Sequence, residues 1–220
     1  MEYPKVNSLY KREPETKKLI MGDYACAEFE AINQWSITEK IDGTNIRIVY
    51  TRFEDRKSLL RFGGRTENAQ IPADLYAYLS ETFTLEKMAA VFSEAKSVVL
   101  FGEGYGPKIQ SGGYYRSDVS FILFDAVIDG WWLERGSIFS IARTLEISEV
   151  PLLSHRTLKS SNKTLWTSEE IEIYVKMEPI SQVATVETHV MEGVVARSHP
   201  QMLFRTGLPI MFKLKCKDFE

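Results

Sequence analysis

Lys40-Ile41-Asp42-Gly43-Thr44-Asn45 sets a lysine beside an acid in a glycine turn, an arrangement that can present an amine to an electrophile. A lysine is protonated near neutral pH and attacks only where burial or neighbouring cations lower its pKa. Cations are available near the C-terminus, where Lys213, Lys215 and Lys217 alternate with Phe212, Leu214 and Cys216. On a strand, that period of two puts three ammonium groups on one face and the apolar side chains on the other. Glu103 and Glu192 share a second design, an acid next to a glycine at the mouth of an apolar run. Glu192 could hold Mg²⁺, which takes few protein carboxylates and keeps several waters, and Glu103 could accept from a ribose hydroxyl. Arg65, after Gly63-Gly64, could fork onto a phosphate. An aromatic of Phe121-Ile122-Leu123-Phe124-Asp125 could stack on a purine. Each motif taken alone also has a plain structural reading: a surface turn, an edge strand guarded by lysines, a solvated turn acid, a core aromatic.

These residues need elements to position them. Trp35–Thr38 reads as a strand leading to Lys40, followed by a strand over Ile46–Tyr50 and a return over Ser58–Phe62 after the charged segment 54–57. Leu75, Leu79 and Phe83, then Leu85, Met88, Ala89 and Phe92, recur at three-to-four spacing and predict helix from Pro72 to Phe92, broken near Thr84. Ser97–Phe101 and Val119–Ile128 are buried-type strands, and Asp129-Gly130 is a turn signal. Leu133–Leu145 reads as helix. Thr167-Ser168-Glu169-Glu170 is a capping box opening a helix that ends near Pro179. Val194–Arg197 and Pro209–Lys217 are closing strands. Residues 1–34 read as polar and mixed, with an irregular N-terminal arm and a loop at Glu13-Pro14-Glu15. Gly112-Gly113 reads as a flexible loop. Mixed strands with segregated helices predict an α+β architecture on antiparallel sheets.

Composition bounds the function. A chain of 220 residues supports one good-sized core. Its net charge of −3 argues against phosphate binding over the whole surface, so nucleic-acid contact must be a local, salt-sensitive stripe. Candidate cations are Arg52, Arg56, Lys57 and Arg61, with Lys108 and Arg116 further on. No apolar run approaches a membrane span and no signal-peptide pattern opens the chain, so no membrane contact is expected. Cys26 and Cys216 make neither a disulfide framework nor a metal site, which fits the cytoplasm. His155, His189 and His199 lack zinc-ligand spacing.

Taken in order, Lys40-x-Asp42-Gly43-Thr44-Asn45, Arg65-Thr66, Phe101-Gly102-Glu103, Phe124-Asp125, Glu192-Gly193 and Lys213-Leu214-Lys215 resemble the ordered motifs of the covalent nucleotidyltransferases. That superfamily comprises ATP-dependent DNA and RNA ligases and mRNA capping enzymes. The resemblance is nearest to the phage RNA ligases that seal nicked duplexes, because Asn45 stands where DNA ligases and capping enzymes usually carry arginine. It implies a single α+β nucleotidyltransferase domain over residues 1–220, an ATP-grasp-like adenylation fold. Two antiparallel β-sheets flanked by helices would surround an ATP cleft.

By the same resemblance, Lys40 attacks the α-phosphate of ATP to give lysyl-AMP. Glu39 and Ile41 flank it in the nucleotide site, with Glu39 near the adenine edge. Asn45 orders the phosphate side, Arg65 contacts ribose or phosphate, Glu103 the ribose, and Phe124 stacks on adenine. Glu192, with Asp42 and Glu103, places Mg²⁺ or Mn²⁺, while Lys213 and Lys215 neutralise charge on the phosphates. The expected substrate is RNA with 5′-phosphate and 3′-hydroxyl ends, nicked duplex included, in RNA repair. The chain ends three residues beyond Lys217, so the family's usual C-terminal domain is missing; a partner protein could supply its surface, or Arg52–Arg61 and the Gly112-Gly113 loop could suffice. The same motifs leave open a minimal ATP-dependent DNA ligase, a capping-type guanylyltransferase, and a module that binds nucleotide or nucleic acid without turnover.

Overall fold

A computed structural model describes residues 1–54, 57–156 and 162–220. Asp55 and Arg56 of the charged segment lie outside them. In chain order the elements are β1 (Asn7–Ser8), β2 (Tyr10–Arg12), β3 (Leu19–Tyr24), α1 (Ala27–Ala31), β4 (Trp35–Lys40), β5 (Thr44–Arg52) and β6 (Ser58–Gly64). There follow α2 (Ala73–Thr82), α3 (Leu85–Val91), β7 (Ser97–Tyr105), β8 (Ser120–Ile128), β9 (Trp131–Trp132), α4 (Arg135–Leu145) and β10 (Ser148–Glu149). Last come β11 (His155–Arg156), β12 (Asn162–Lys163), α5 (Ser168–Lys176), β13 (Gly193–Ser198) and β14 (Met211–Lys215). They fall into two compact units. One holds Met1–Tyr3, Asp42–Val150 and Ala184–Val186; the other holds Pro4–Ile41, Pro151–Val183 and Glu187–Glu220.

The first unit is a six-stranded sheet in the order β10-β8-β7-β5-β6, with β9 beside β8. Strand alternation sorts its side chains. Ile46, Ile48, Tyr50, Val98, Leu100, Phe121 and Leu123 are buried with Leu75 and Leu79 of α2, Met88 of α3, and Ile138 and Ala142 of α4. The Thr84 side chain accepts from the Lys87 backbone N–H at 3.1 Å, which caps α3 and breaks the helical run where the spacing predicts. The other sheet face carries rows set by register: Asn45 beside Glu103, Arg47 beside Phe101, and Val49 beside Val99. Between β7 and β8, Phe101 pairs with Asp125 but Gly102 pairs with Leu123, so Phe124 is the extra residue of a bulge.

The second unit is built on a four-stranded sheet in the order β1-β14-β13-β4. Trp35, Ile37, Val194, Ala196, Phe212 and Leu214 form its buried face with Phe29 of α1 and Ile171 and Val175 of α5. The outer edge of β4 is covered by bridges from Trp35 to Trp166 and from Thr38 to Leu152. The long strands pair antiparallel as expected, while two short edge strands, β1 on β14 and β10 on β8, are parallel.

Three expectations change. Residues 1–34 also hold β1–β3 and α1 and bury Leu9, Tyr10 and Phe29, while residues 1–6 keep no secondary structure and 13–18 form the loop between β2 and β3. Gly112–Tyr114 is a tight 3₁₀ turn in which Gly112 is buried. Strand β14 stops at Lys215, and Cys216–Asp218 turn into a 3₁₀ helix, so Lys217 leaves the period of two. Among the described residues no helix is long and apolar enough to cross a membrane.

The capping box at α5 is complete. Thr167 accepts from the Glu170 N–H at 3.2 Å, and Glu170 accepts from the Thr167 N–H at 2.8 Å. Thr167→Ala is expected to lose about 1 kcal/mol, seen in thermal unfolding as a midpoint lower by roughly 2–4 °C for a chain of this size. An unshifted midpoint would show that α5 is held by packing alone.

Candidate active site

One row of the four-stranded sheet gathers the reactive groups. Gly193 of β13 pairs with Lys40 on one side and with Lys215 on the other. Residues in register share a face, so the two lysines project together with backbone only between them. Their Cα atoms lie two strand spacings apart, about 10 Å. Glu192, the residue before Gly193, closes that gap. Its Oε2 accepts from Lys40 Nζ at 2.5 Å, and its Oε1 is ion-paired with Lys215 Nζ. Gly193 is required there: its φ is +152°, and a Cβ would meet the Leu214 carbonyl oxygen at 2.1 Å. Lys213 occupies the next row of the same face, in register with Val195 and Ser8. The surroundings of Lys40 therefore differ from the all-cation pocket the alternating lysines suggest, because a carboxylate stands between the ammonium groups.

Glu39 lies on the opposite face, with Trp35 and Ile37. It is buried; its Oε1 accepts from Ser181 Oγ at 2.5 Å and its Oε2 from the Gln182 N–H at 2.8 Å. Burial pushes its carboxyl above the ordinary range, against the downward pull of those two bonds. Ile41 is buried as well. Nothing in the spacing around Ser181 announces this contact.

The six-stranded unit carries the remaining candidates. Asp42 accepts from the Ser111 N–H at 3.3 Å, and its own N–H donates to Tyr115 Oη at 3.3 Å, so the residue is anchored to the turn at Gly112. Asn45 and Glu103 are cross-strand neighbours on the face away from the helices. Asn45 Oδ1 is buried and has no hydrogen-bond partner among the described residues, an acceptor shaped for a donor from outside the chain. Phe124 lies on the same face with Phe101 and Trp132. Arg65 is exposed on the loop after β6. The glycine of Phe101-Gly102-Glu103 serves the core: a Cβ on Gly102 would meet the Phe121 ring at 2.2 Å. Among the candidate cations, Arg116 is forked onto Asp118 at 2.6 and 2.9 Å. Arg47, which sequence reasoning passed over, is buried and paired with Glu67 at 2.7 Å.

Among the described residues no group of three or more His, Cys, Asp or Glu side chains is gathered closely enough to cage a metal ion. Magnesium needs no such cage when it arrives on the phosphates of a nucleotide, where one or two carboxylates suffice. Glu192 is a carboxylate of that kind, with both oxygens engaged by Lys40 and Lys215 here.

Both units have counterparts among known proteins. The chain matches the RNA ligase family over residues 33–215 and belongs to it. Solved structures of RNA ligase from Naegleria gruberi share the fold. One, with pyrophosphate, is 19% identical with a TM-score of 0.58, covering 83% of this chain and 49% of that one. Another, a lysine-to-methionine variant with AMP and Mn, is 19% identical at 0.58 and covers 86% and 51%. A third, a lysine-to-alanine variant with ATP and Mn, is 17% identical at 0.62 and covers 98% and 64%. The chain thus spans about half to two thirds of the length of these proteins. No curated protein matches it in sequence.

The Glu39 environment makes stability depend on pH. A carboxyl raised by folding contributes stability below its unfolded pKa and loses that contribution as pH rises through the folded value. Glu39→Gln cannot ionise, and its amide can still accept from Gln182 and donate to Ser181. Its stability relative to wild type is expected to grow between about pH 4 and pH 7. Urea unfolding at a series of pH values tests this, and a difference flat with pH would remove the assigned shift.

Proposed function

We propose that this protein is an ATP-dependent polynucleotide ligase acting on RNA, and that Lys40 is its nucleophile. The observation that carries the proposal is the Lys40–Glu192–Lys215 row across Gly193; membership of the RNA ligase family supports it. Lys40 Nζ, having released its extra proton to solvent, directs its lone pair at the α-phosphorus of ATP. An N–P bond forms, the bond from that phosphorus to the bridging oxygen breaks, and pyrophosphate leaves. AMP then passes to an RNA 5′-phosphate, regenerating the amine, and a 3′-hydroxyl displaces AMP to seal the strand.

In this reading Lys213 and Lys215 stabilise negative charge that builds on the α-phosphate and the leaving group, by electrostatics already in place before reaction. Glu103 accepts from the ribose, Asn45 and Arg65 orient the ribose–phosphate portion, and Phe124 stacks on the purine. Glu39 and Ile41 fix the strand end from which Lys40 projects. Glu192, with Asp42 and Glu103, would hold Mg²⁺ or Mn²⁺, which would supply charge neutralisation on the triphosphate. Lys40 Nζ donates to Glu192 Oε2, and a nitrogen attacks only with a lone pair free to reach the phosphorus, so Lys40 has to part from Glu192 before it attacks.

Incubation with ATP labelled on the α-phosphate, in Mg²⁺ or Mn²⁺, is the direct test. Wild type is expected to carry label through denaturation, and Lys40→Ala to carry none. Lys213→Ala and Lys215→Ala are expected to label at least about ten-fold more slowly, with unfolding midpoints close to wild type. Retained label in Lys40→Ala would place the nucleophile elsewhere. A GMP adduct would indicate capping chemistry, and no adduct from ATP or GTP a binding module. Nicked RNA and nicked DNA supplied to the labelled protein separate the two ligase activities.

A further inference from the structure

The first three residues lie on the sheet face that carries Asn45, Glu103 and Phe124. They belong to no strand or helix, yet three ties hold them. The Met1 carbonyl accepts from Arg47 Nη1 at 3.2 Å. Glu2 Oε1 accepts from the Glu67 N–H at 3.2 Å, while Glu67 is itself paired with Arg47. Tyr3 Oη donates to Oδ2 of the fully buried Asp125 at 3.0 Å. The Tyr3 ring then enters an aromatic cluster. Its centroid is 4.9 Å from that of Phe124 at 67°, 5.0 Å from Phe101 at 56°, and 6.0 Å from Trp132 at 73°. Phe101 and Trp132 stack on each other at 5.8 Å.

Phe124 is the residue that needs such a neighbour. As the extra residue of a bulge it has no cross-strand partner in the β7–β8 register to fix its direction. An edge-to-face contact such as the one Tyr3 makes is directional. Phe124 remains only partly buried in that cluster, so part of its ring is left for a flat ligand. We infer that Tyr3 is a positioning residue for nucleotide binding: its ring holds Phe124 in the orientation that receives the purine, and the N-terminal tripeptide is part of the nucleotide-binding face. This rests on the function proposed above and adds to it a residue outside every motif of the chain.

The test is steady-state ATP–pyrophosphate exchange, in which the adduct forms and reverts repeatedly, at varied ATP with wild type, Tyr3→Ala, Tyr3→Leu and Tyr3→Phe. Loss of the ring in Tyr3→Ala is expected to raise the KM for ATP about ten-fold while kcat stays within about two-fold. Tyr3→Phe keeps the ring and is expected to stay within about three-fold of wild type in KM. A merely structural loss would reduce the active fraction, and so kcat, without moving KM. Should Tyr3→Ala fail to fold, Tyr3→Leu, which fills the space without a ring, is expected to show the same rise in KM. An unchanged KM in the ringless variants overturns the inference. So does a lowered KM, which would mean the tripeptide competes with the nucleotide, and so does a rise in Tyr3→Phe as large as in Tyr3→Ala. If wild type forms no adduct the proposed function itself fails, which is visible before any Tyr3 variant is made.

Discussion

Lys40 and Lys215 would repel each other across β13 were it not for the carboxylate between them, and that single anion sets the electrostatics of the sheet face. Two cations and one anion leave the row with one net positive charge. The three side chains are only 13–22% exposed, so water screens them incompletely. A local positive field of this kind can attract a polyphosphate to a protein whose overall charge is −3. Under the proposed function, phosphate affinity is a matter of where charge lies rather than how much of it the chain carries. The same carboxylate ties the candidate nucleophile to its neighbour across the sheet, so anything that draws on Glu192 acts on Lys40 as well.

Backbone geometry makes this possible. A side chain at position 193 would drive into the backbone of β14. Gly193 therefore lets β13 pair closely with β14 in the row where the lysines meet Glu192. The lysines also depend on strands held from both sides. Strand β4 is bridged to Trp166 and Leu152 on its outer edge, and β1 runs along β14 with Ser8 in register with Lys213. Beneath the row, Trp35, Ile37, Val194, Phe212 and Leu214 fill the core. Interiors packed to this degree resist small displacements, which is what an amine needs if it is to be aimed at one atom.

Local signals in the sequence carried furthest. The break at Thr84 and the capping box at Thr167 depend on side chains bonding to backbone within three residues, so both can be read directly from the chain. The membership of the lysine–glutamate row was also legible as residue types in a familiar order, whereas its register was not. Which lysine would meet Glu192 depends on pairing between strands some 150 residues apart. The end of β14 at Lys215 was hidden as well, since the alternation of residues continues through Lys217 although the strand does not. Glu39 carried a usable signal that the motif masked. It shares parity with Trp35 and Ile37, and on a strand that parity means the core. The N-terminal strands of two or three residues are too short for any periodicity to reveal. The Tyr3–Asp125 contact spans 122 positions and leaves no local trace.

The six-stranded sheet raises a different question, since its face away from the helices keeps polar groups at buried or half-buried positions. Arg47 is accounted for by Glu67 and the Met1 carbonyl, and Asp125 by Tyr3 and the Ala126 N–H. Asn45 Oδ1 has no such partner among the described residues. Leaving a buried acceptor without a donor costs about 1–3 kcal/mol, a penalty a fold retains where a ligand relieves it. Under the proposed chemistry two donors are in question, and they differ in sign. Ribose hydroxyls can donate to Oδ1 as it stands, next to Glu103. A phosphate offers only acceptors, and would be met if the amide turned over to present its NH₂, an exchange that geometry alone does not forbid. Either way the group that completes Asn45 has to be polar, directional and brought from outside the sheet, as a nucleotide's sugar and phosphates are.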